Sequence, residues 1–275
     1  MKAITSRDNP LFKQLRQLSQ SSRERKKTQQ TLIEGIHLVQ TYCTAIGNPE
    51  ALVVSTSGVN NLEITALIDQ YRPLAATVLS DAMFHELSTL DSPVGVLALI
   101  NTPTQKNIPA AMDCCVVLED IQDPGNLGSI LRSAAAANVK HVVLSKGCVF
   151  AWSPRVIRAA MGAHFLLDIY EQQDLIGVLK NFGGKKVATA LRAKASLYDA
   201  DLSGPIALLV GNEGAGLSLA LTGLADVVLT IPIPGKMESL NAAAAVAICL
   251  FERVRQIELE SLRRLAGQRE MQGVA

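Results

Sequence analysis

The chain has 275 residues, enough for two domains of ordinary size. Hydrophobic residues make up 48% of it and aromatic residues only 4%, so its core must be aliphatic, as in parallel sheets that are buried on both faces. The formal charge of +1 excludes a globally polybasic nucleic-acid binder, and any nucleic-acid surface must therefore be local.

Cysteine and histidine spacing argues against metal and disulfide chemistry. The five cysteines form no CxxC pair or regular framework, and the four histidines show no HExxH pattern. The N-terminus has no apolar signal core, and no apolar run reaches the ~18 residues that a membrane span needs. We therefore expect a cytoplasmic protein with a reduced interior, no bound metal and no membrane contact.

Residues 1–30 are the most basic part of the chain, with leucines at helical spacing. Two interpretations of this charge stay open: a solvated helix face, or contacts with RNA phosphates. Arg7 and Lys13 are the candidate phosphate contacts. Other cations of the segment include Arg16, Arg23, Arg25, Lys26 and Lys27.

Residues 31–100 alternate between strand and helix patterns. We predict helices over residues 36–44, 62–71 and 81–89, between the strands TLIEG, ALVVS, TVLS and GVLALI. This segment contains no nucleophile, carboxylate pair or metal cluster, so a small α/β domain for substrate recognition is expected. Residues 101–112 lack periodicity and contain two prolines, which predicts a linker. The predicted domains are residues 1–105 and 112–275.

The second domain also has an alternating strand and helix pattern, which predicts an α/β fold. Its predicted strands are CCVVLED, HVVLS, FLLDIY, KVATAL, IALLVG and VVLTIP. We predict helices over residues 129–138 with Ser129 as N-cap, near 154–161, near 174–181, and after Asn241. The sheet should be parallel, or mostly so, with helices on both faces. Simple winding rules suggest a Rossmann-like strand order, but spacing alone leaves another threading open.

Three loops follow apolar strands and combine glycine and proline with polar side chains that a turn does not need. They are DPGNLGSILR at 123–132, GNEGAGL at 211–217 and IPIPGKMESLN at 231–241. Open α/β sheets bind ligands at the carboxyl ends of their strands. Each loop alone could be a tight turn or a helix start. None matches GxGxxG or GxxxxGK[ST], which argues against a dinucleotide oxidoreductase and a P-loop protein.

Together the loops resemble the three signature motifs of the SpoU (TrmH-like) family of RNA ribose 2′-O-methyltransferases, in the SPOUT superfamily. Residues 123–139 resemble motif 1, residues 208–218 motif 2 and residues 231–247 motif 3. The N-terminal ITSRDNPLFKQL, followed by LIEG, resembles the substrate-binding domain that precedes the catalytic domain in many members. Small departures are Ile233, where the family often has Met, and Ala242-Ala243, where it has Val-Ser or Val-Ala.

The resemblance implies a deep trefoil knot in the C-terminal parallel-sheet domain, a homodimer, and S-adenosylmethionine as cofactor. The residues implied to bind the cofactor through backbone groups are Leu209, Gly211, Ile231 and Leu240. The catalytic residues implied by similarity are Arg132, Asn126, Glu213, Ser239 and Asn241. Of these, Arg132 would act on the 2′-hydroxyl and the others would orient that hydroxyl, the substrate phosphate or the methionine end of the cofactor.

Arg132 is a poor general base because a guanidinium is effectively always protonated. We therefore expect it to bind the nucleotide phosphate or to stabilise the developing alkoxide. The alternative is a structural role, in which Arg132 caps its helix or pairs with Glu213. Trp152 is either a core anchor or a base-stacking side chain, and Arg155 and Arg158 on the next helix are expected to contact RNA.

The resulting hypothesis is S-adenosylmethionine-dependent methylation of a ribose 2′-hydroxyl in RNA, with ribosomal RNA favoured. Transfer RNA stays open as the substrate, and the sequence does not separate a housekeeping enzyme from a resistance enzyme. A non-catalytic RNA-binding or assembly protein with the same fold is the alternative from another class.

Overall fold

The structure is a computed structural model that describes residues 1–71, 74–104, 106–109 and 111–272, with side chains as far as residue 263. It divides into two compact units: residues 1–105 with 150–166, and residues 106–149 with 167–275. The sequence predicts that residues 150–166 belong to the second domain, but this segment packs within the first unit. In the predicted linker, positions 105 and 110 lie outside the described residues.

The elements are numbered in chain order. The strands are β1 (Lys2–Ile4), β2 (Gln30–Glu34), β3 (Ala51–Ser55), β4 (Ala76–Leu79), β5 (Val96–Asn101), β6 (Cys114–Leu118), β7 (His141–Ser145), β8 (Asp168–Gln173), β9 (Lys185–Thr189), β10 (Ala195–Ser196), β11 (Ile206–Val210) and β12 (Val227–Thr230). The helices are α1 (Pro10–Gln20), α2 (Ser22–Thr28), α3 (Ile36–Ala45), α4 (Leu62–Gln70), α5 (Asp81–Leu87), α6 (Pro124–Ala136), α7 (Pro154–Ala160), α8 (Leu175–Lys180), α9 (Leu219–Thr222) and α10 (Ala242–Gln272).

The first unit is built on a mixed sheet with the order β1-β4-β3-β5-β2. β5 runs antiparallel to β2 and β3, whereas β1, β4 and β3 are parallel. Its core joins apolar residues of these strands to Phe12, Leu15 and Leu18 of α1 and to Phe84 of α5. The predicted small α/β domain is therefore present, and its predicted strands and helices agree with the structure to within a few residues at their ends.

The basic N-terminal segment folds into two helices, α1 and α2. Ser21 separates them in an extended conformation, and its hydroxyl caps α2 by accepting from the Glu24 amide. Arg25 is buried, and its guanidinium donates to the carbonyls of Leu18 and Ser19. Arg25 therefore fixes the junction of the two helices and is not available to an RNA phosphate.

The second unit contains a parallel sheet with the order β10-β12-β9-β11-β6-β7-β8. β11 pairs with β6 on one side and with β9 on the other. The predicted Rossmann-like order is therefore wrong. Simple winding adds each new strand at an edge of the growing sheet, whereas β11 lies between β6 and β9, which both precede it in the chain. All five residues of β11 are buried, and a central position removes this apolar strand from water on both faces.

Two sequence predictions in the second unit are wrong in detail. α6 starts at Pro124, and the Asp123 side chain caps it by accepting from the Asn126 amide, so Ser129 is not the N-cap. Proline at the first helical position needs no amide partner, which is why the helix starts inside the DPG segment. β8 starts at Asp168, because Ala163–Phe165 form a 3-10 turn instead of the first part of a strand.

Candidate functional site

The three polar loops start at the carboxyl ends of β6, β11 and β12. Every strand pairing in this sheet is parallel, so these ends lie along one edge. This is the edge at which ligands bind in open α/β sheets. The sheet therefore places the three loops where a common site can form.

A chain of side-chain hydrogen bonds connects the three loops. The side-chain amide of Asn241 donates to Asn126 Oδ1 at 2.7 Å, and Asn126 Nδ2 donates to Glu213 Oε1 at 2.9 Å. The direction of the chain is defined at both ends. Asn241 Oδ1 accepts from the backbone amides of Ala243 and Ala244 at the start of α10, and a carboxylate such as that of Glu213 can only accept.

Local structure holds each of these side chains in place. Asp123 Oδ1 accepts from the Asn126 amide at 2.7 Å, which puts Asn126 in the first turn of α6. Asn212 Oδ1 accepts from the amides of Gly214 and Ala215, which closes a tight turn around Glu213. At Gly211 a Cβ atom would lie 2.1 Å from the Gly216 carbonyl carbon, so only glycine permits this close approach.

Arg132 is exposed on α6, and its side chain makes no hydrogen bond or ion pair with the residues described here. The two oxygens of Glu213 instead accept from Asn126 and from Asn212, the latter at 3.4 Å. Arg132 thus neither caps its helix nor pairs with Glu213. Its guanidinium is free to meet a ligand.

The loop 231–240, which includes Ser239, is mostly exposed and makes no hydrogen bonds with other parts of the described chain. Its amide and carbonyl groups are therefore available to a ligand or to another chain. Leu209 and Gly211 are buried at the end of β11, Ile231 is half-buried and Leu240 is 38% exposed. These four residues border the same edge of the sheet as the hydrogen-bond chain.

The chain matches two protein-family models. The model of the SpoU rRNA Methylase family matches residues 113–251, which is just over half of the chain. The chain belongs to the SpoU rRNA methylase family. A second model, the MRM3-like substrate binding domain, matches residues 9–98. The predicted family resemblance is confirmed for both parts of the chain.

Named relatives of this SpoU-family chain match it over nearly its full length. An uncharacterized tRNA/rRNA methyltransferase of Synechocystis is 35% identical and covers 92% of this chain and 94% of its own. The 23S rRNA (guanosine(2553)-2′-O)-methyltransferase RlmP of Bacillus subtilis is 33% identical, covering 91% and 98%. The crystal structure of an AdoMet-bound rRNA methyltransferase from Sinorhizobium meliloti is 29% identical with a TM-score of 0.78, covering 93% and 98%.

The predicted RNA contacts of this SpoU-family chain all lie in the first unit, and they differ in their partners. Arg7 Nε donates to Glu86 Oε1 at 2.7 Å, which raises the pKa of Arg7, and Lys13 pairs with Asp8 at 2.8 Å. Arg155 and Arg158 are exposed on α7 and have no acidic partner among the described residues. Of the four predicted contacts, the two on α7 therefore carry the charge that no described acidic side chain offsets.

Trp152 is a core residue of the first unit. Its side chain is 7% exposed, its ring packs edge-on against His164 with centroids 4.9 Å apart, and its carbonyl accepts from the Thr31 hydroxyl at 2.8 Å. Of the two interpretations, the core anchor agrees with this position. A buried indole cannot serve as an open platform for a base.

The described part of the chain has neither a metal-binding cluster nor a membrane-spanning helix. No group of three or more His, Cys, Asp or Glu side chains there could hold a metal ion. No described helix is both long and apolar enough to cross a membrane. The five cysteines are free thiols.

Sequence reasoning missed residues that support the motif 2 loop. Asn212 holds the turn around Glu213, and Glu119 and Asp120, directly after β6, contact both ends of that loop. The Asn212-Glu213-Gly214 segment is a recognisable turn pattern. The contacts of Glu119 and Asp120 span more than 90 residues of sequence, and local patterns do not reveal them.

Proposed function

We propose that this protein transfers a methyl group from S-adenosylmethionine to a ribose 2′-hydroxyl of ribosomal RNA. The observation that carries the proposal is the hydrogen-bond chain from Asn241 through Asn126 to Glu213, which unites the three loops. A relative that covers nearly the whole chain is named as a 23S rRNA 2′-O-methyltransferase, which favours ribosomal over transfer RNA.

The residues at the sheet edge fit an adenosine-containing cofactor. Gly211 is buried beside a tight turn, and the free amide and carbonyl groups of the loop 231–240 can pair with donors and acceptors of a nucleoside. We assign cofactor binding to Leu209, Gly211, Ile231 and Leu240. S-adenosylmethionine would supply an activated methyl group on its sulfonium, so the protein mainly needs to bind and orient.

Arg132 is assigned to the reacting ribose. A permanently protonated guanidinium can bind the adjacent phosphate or stabilise negative charge that develops on the ribose oxygen, but it cannot remove a proton. The hydroxyl proton would then pass to the phosphate or to solvent. Asn126, Glu213, Ser239 and Asn241 are assigned to orienting the ribose and the cofactor, because three of them form one hydrogen-bonded unit.

RNA binding is assigned first to Arg155 and Arg158. Each is exposed and has no acidic partner among the described side chains, so each can displace counterions from a phosphate backbone. Arg7 and Lys13 are assigned smaller contributions, because binding RNA would compete with their ion pairs to Glu86 and Asp8.

The active form is proposed to be a homodimer with a trefoil knot in each catalytic domain. Several large apolar side chains of the second unit are exposed in the single chain, including Met237 at 74%, Leu240 at 38% and Phe251 at 49%. A second copy would remove this surface from water. The free thiols agree with activity in the cytoplasm.

The test is incubation of purified protein with methyl-labelled S-adenosylmethionine and separate pools of unmodified ribosomal and transfer RNA, followed by digestion to nucleosides. We expect label in a 2′-O-methylnucleoside from the ribosomal pool. Label only in the transfer RNA pool would change the substrate, and label on a base would refute the ribose assignment. Cofactor binding without label in either pool would indicate a binding-only protein.

A further inference from the structure

Two acidic residues outside the catalytic set hold the motif 2 loop at both of its ends. Glu119 and Asp120 follow β6 directly. Glu119 Oε2 accepts from the backbone amide of Ser218 at 2.7 Å, and the Asp120 carbonyl accepts from Asn212 Nδ2 at 2.8 Å. The loop from Asn212 to Ser218 is thus fixed at its start and at its end by consecutive residues of a neighbouring strand end.

Asp120 has a backbone conformation that side-chain-bearing residues rarely adopt. Its φ is +54°, in the left-handed region. Ser145, the last residue of β7, supports this conformation, because its hydroxyl donates to Asp120 Oδ1 at 2.6 Å and accepts from the Asp120 amide at 2.9 Å. At Gly147 a Cβ atom would lie 2.1 Å from Asp120 Oδ1, so any larger residue there would displace the carboxylate from its present position. Strained residues of this kind cluster at functional sites.

These contacts continue to the catalytic set through Asn212. Asn212 Nδ2 donates to the Asp120 carbonyl at 2.8 Å and to Glu213 Oε2 at 3.4 Å. The other carboxylate oxygen of Glu213 accepts from Asn126 at 2.9 Å. A shift of the loop would therefore move Glu213 away from Asn126 and break the chain that joins the three motifs.

We infer that Glu119 and Asp120 are positioning residues, which hold the loop 212–218 so that Glu213 meets Asn126. The claim about the loop stands on these contacts alone, and its effect on turnover rests on the proposed methyl transfer. Glu119 provides the direct test, because its contact is made by the side chain. Asp120 acts through its carbonyl, so Ser145→Ala, which removes its support, is the second variant.

The experiment compares Glu119→Ala, Glu119→Gln and Ser145→Ala with a matched control, Asp226→Ala. Asp226 precedes β12 at the opposite edge of the sheet, and its carboxylate also accepts from a backbone amide, that of Lys186 at 2.7 Å. Its loss should cost similar stability without touching the loop. The glutamine variant keeps an oxygen that can accept from the Ser218 amide, so it separates the contact from the charge.

Hydrogen exchange of peptides that span residues 211–221 measures the loop directly, whatever the activity. We expect exchange about tenfold faster in Glu119→Ala and Ser145→Ala than in wild type, since a lost hydrogen bond of ordinary strength corresponds to such a factor. Glu119→Gln and Asp226→Ala should exchange like wild type. Unchanged exchange in Glu119→Ala would overturn the inference.

Turnover per folded molecule gives the functional outcome. We expect kcat to fall about 10- to 100-fold in Glu119→Ala, because small displacements of catalytic groups have effects of this size, while KM for RNA stays within about twofold. Glu119→Gln should recover most of the rate. Faster exchange with wild-type kcat would refute the positioning role. If wild-type protein methylates no RNA, the proposed function fails, and the exchange data still decide whether Glu119 and Asp120 hold the loop.

Discussion

Asn241 and Asn126 each lie at the start of a helix, and a 2.7 Å hydrogen bond between their side chains joins the two helix ends. Asn241 caps α10, Asn126 lies in the first turn of α6, and these two helices pack against each other. Helix starts carry partial positive charge, so the Glu213 carboxylate that accepts from Asn126 is in a favourable position. Two helices and one turn therefore form a single polar unit.

Replacing Asn126 should disconnect the starts of the two helices from each other and from the turn that carries Glu213. Asn126→Ala removes the donor to Glu213 and the acceptor for Asn241, so we expect kcat for methyl transfer to fall about 100-fold, as for other lost polar contacts in preorganised sites. The free energy of unfolding should fall by only about 1 kcal/mol, because this site is exposed to water. Steady-state kinetics and urea denaturation measure the two effects.

Asn181→Ala is the matched control for that experiment. Asn181 Nδ2 donates to the Gly177 carbonyl at 3.0 Å, away from the three loops. We expect a similar small loss of stability with normal kcat. Equal kcat values for the two variants would contradict a role for Asn126 in catalysis.

Arg132→Ala should lower the methyl-transfer activity strongly and the stability only slightly, which is the opposite of what the loss of a structural arginine would do. Arg132 is exposed and has no partner among the described side chains, so its loss should change the free energy of unfolding by less than about 0.5 kcal/mol. We expect activity to fall by about 100-fold or more, and Arg132→Lys to recover only part of it, because an ammonium lacks the planar fork that binds a phosphate. Lys180→Ala, another exposed cation of the second unit, is the control.

A stability loss in Arg132→Ala that matches the activity loss, with normal activity per folded molecule, would contradict this assignment. It would show that Arg132 stabilises the fold in spite of its exposed position. Thermal melts give the stability of each variant. The concentration of folded protein, measured on the same samples without relying on activity, gives the activity per folded molecule.

Local and global features of this protein differ in how far the sequence predicts them. Apolar strands and loop glycines are local signals, and they predict the three loops and most elements of both units, but not the short elements β1, β10 and α9. The central position of β11 depends on which neighbours bury IALLV best, which is a property of the whole sheet. The start of α6 is harder to predict, because Ser129 and Asp123 are both good N-cap residues and only the structure shows that the helix uses the aspartate before proline.

The candidate site shows the same contrast. The family motifs predicted Asn126, Glu213 and Asn241, and the structure brings these three side chains together. It does not connect Arg132 or Ser239 to them through hydrogen bonds between described residues, which agrees with groups that meet a ligand instead. Glu119 was missed because its contact with Ser218 joins residues 99 positions apart.

Gly211→Ala should prevent the motif 2 loop from forming its present tight turn. The added Cβ would lie within 2.2 Å of three backbone atoms of Gly216 and Leu217, and backbone cannot rotate away as a side chain can. We expect a loss of about 2 kcal/mol or more in the free energy of unfolding, in the range of overpacked sites. Binding of S-adenosylhomocysteine, measured by calorimetry, should become undetectable or much weaker.

Gly214→Ala in the same turn is the control. There the nearest atom to the added Cβ is Asn212 Oδ1 at 3.5 Å, an ordinary contact. Its stability and ligand affinity should stay close to wild type. If the two variants behave alike, glycine at position 211 is not required by the turn.

His164 should make the first unit less stable in mild acid. Burial lowers the pKa of His164 to about 4, and its Nε2 lies 2.8 Å from the Ala151 carbonyl while Nδ1 has no partner in the described structure. The unfolded chain therefore binds a proton at this side chain between about pH 4 and 6.5, whereas the folded chain does not. Stability is complete above pH 6.5 and decreases as the pH falls, by about 2 kcal/mol at pH 5.

The measurement is urea denaturation from pH 7.5 to 5, a range in which ordinary carboxylates stay ionised. His164→Gln keeps a side-chain donor for the Ala151 carbonyl but cannot titrate, so its stability should depend much less on pH. Some dependence should remain, because partial burial also lowers the pKa of His141. His85→Gln, at an exposed position, should retain the wild-type slope. A His164→Gln slope equal to that of wild type would show that another group controls the acid sensitivity.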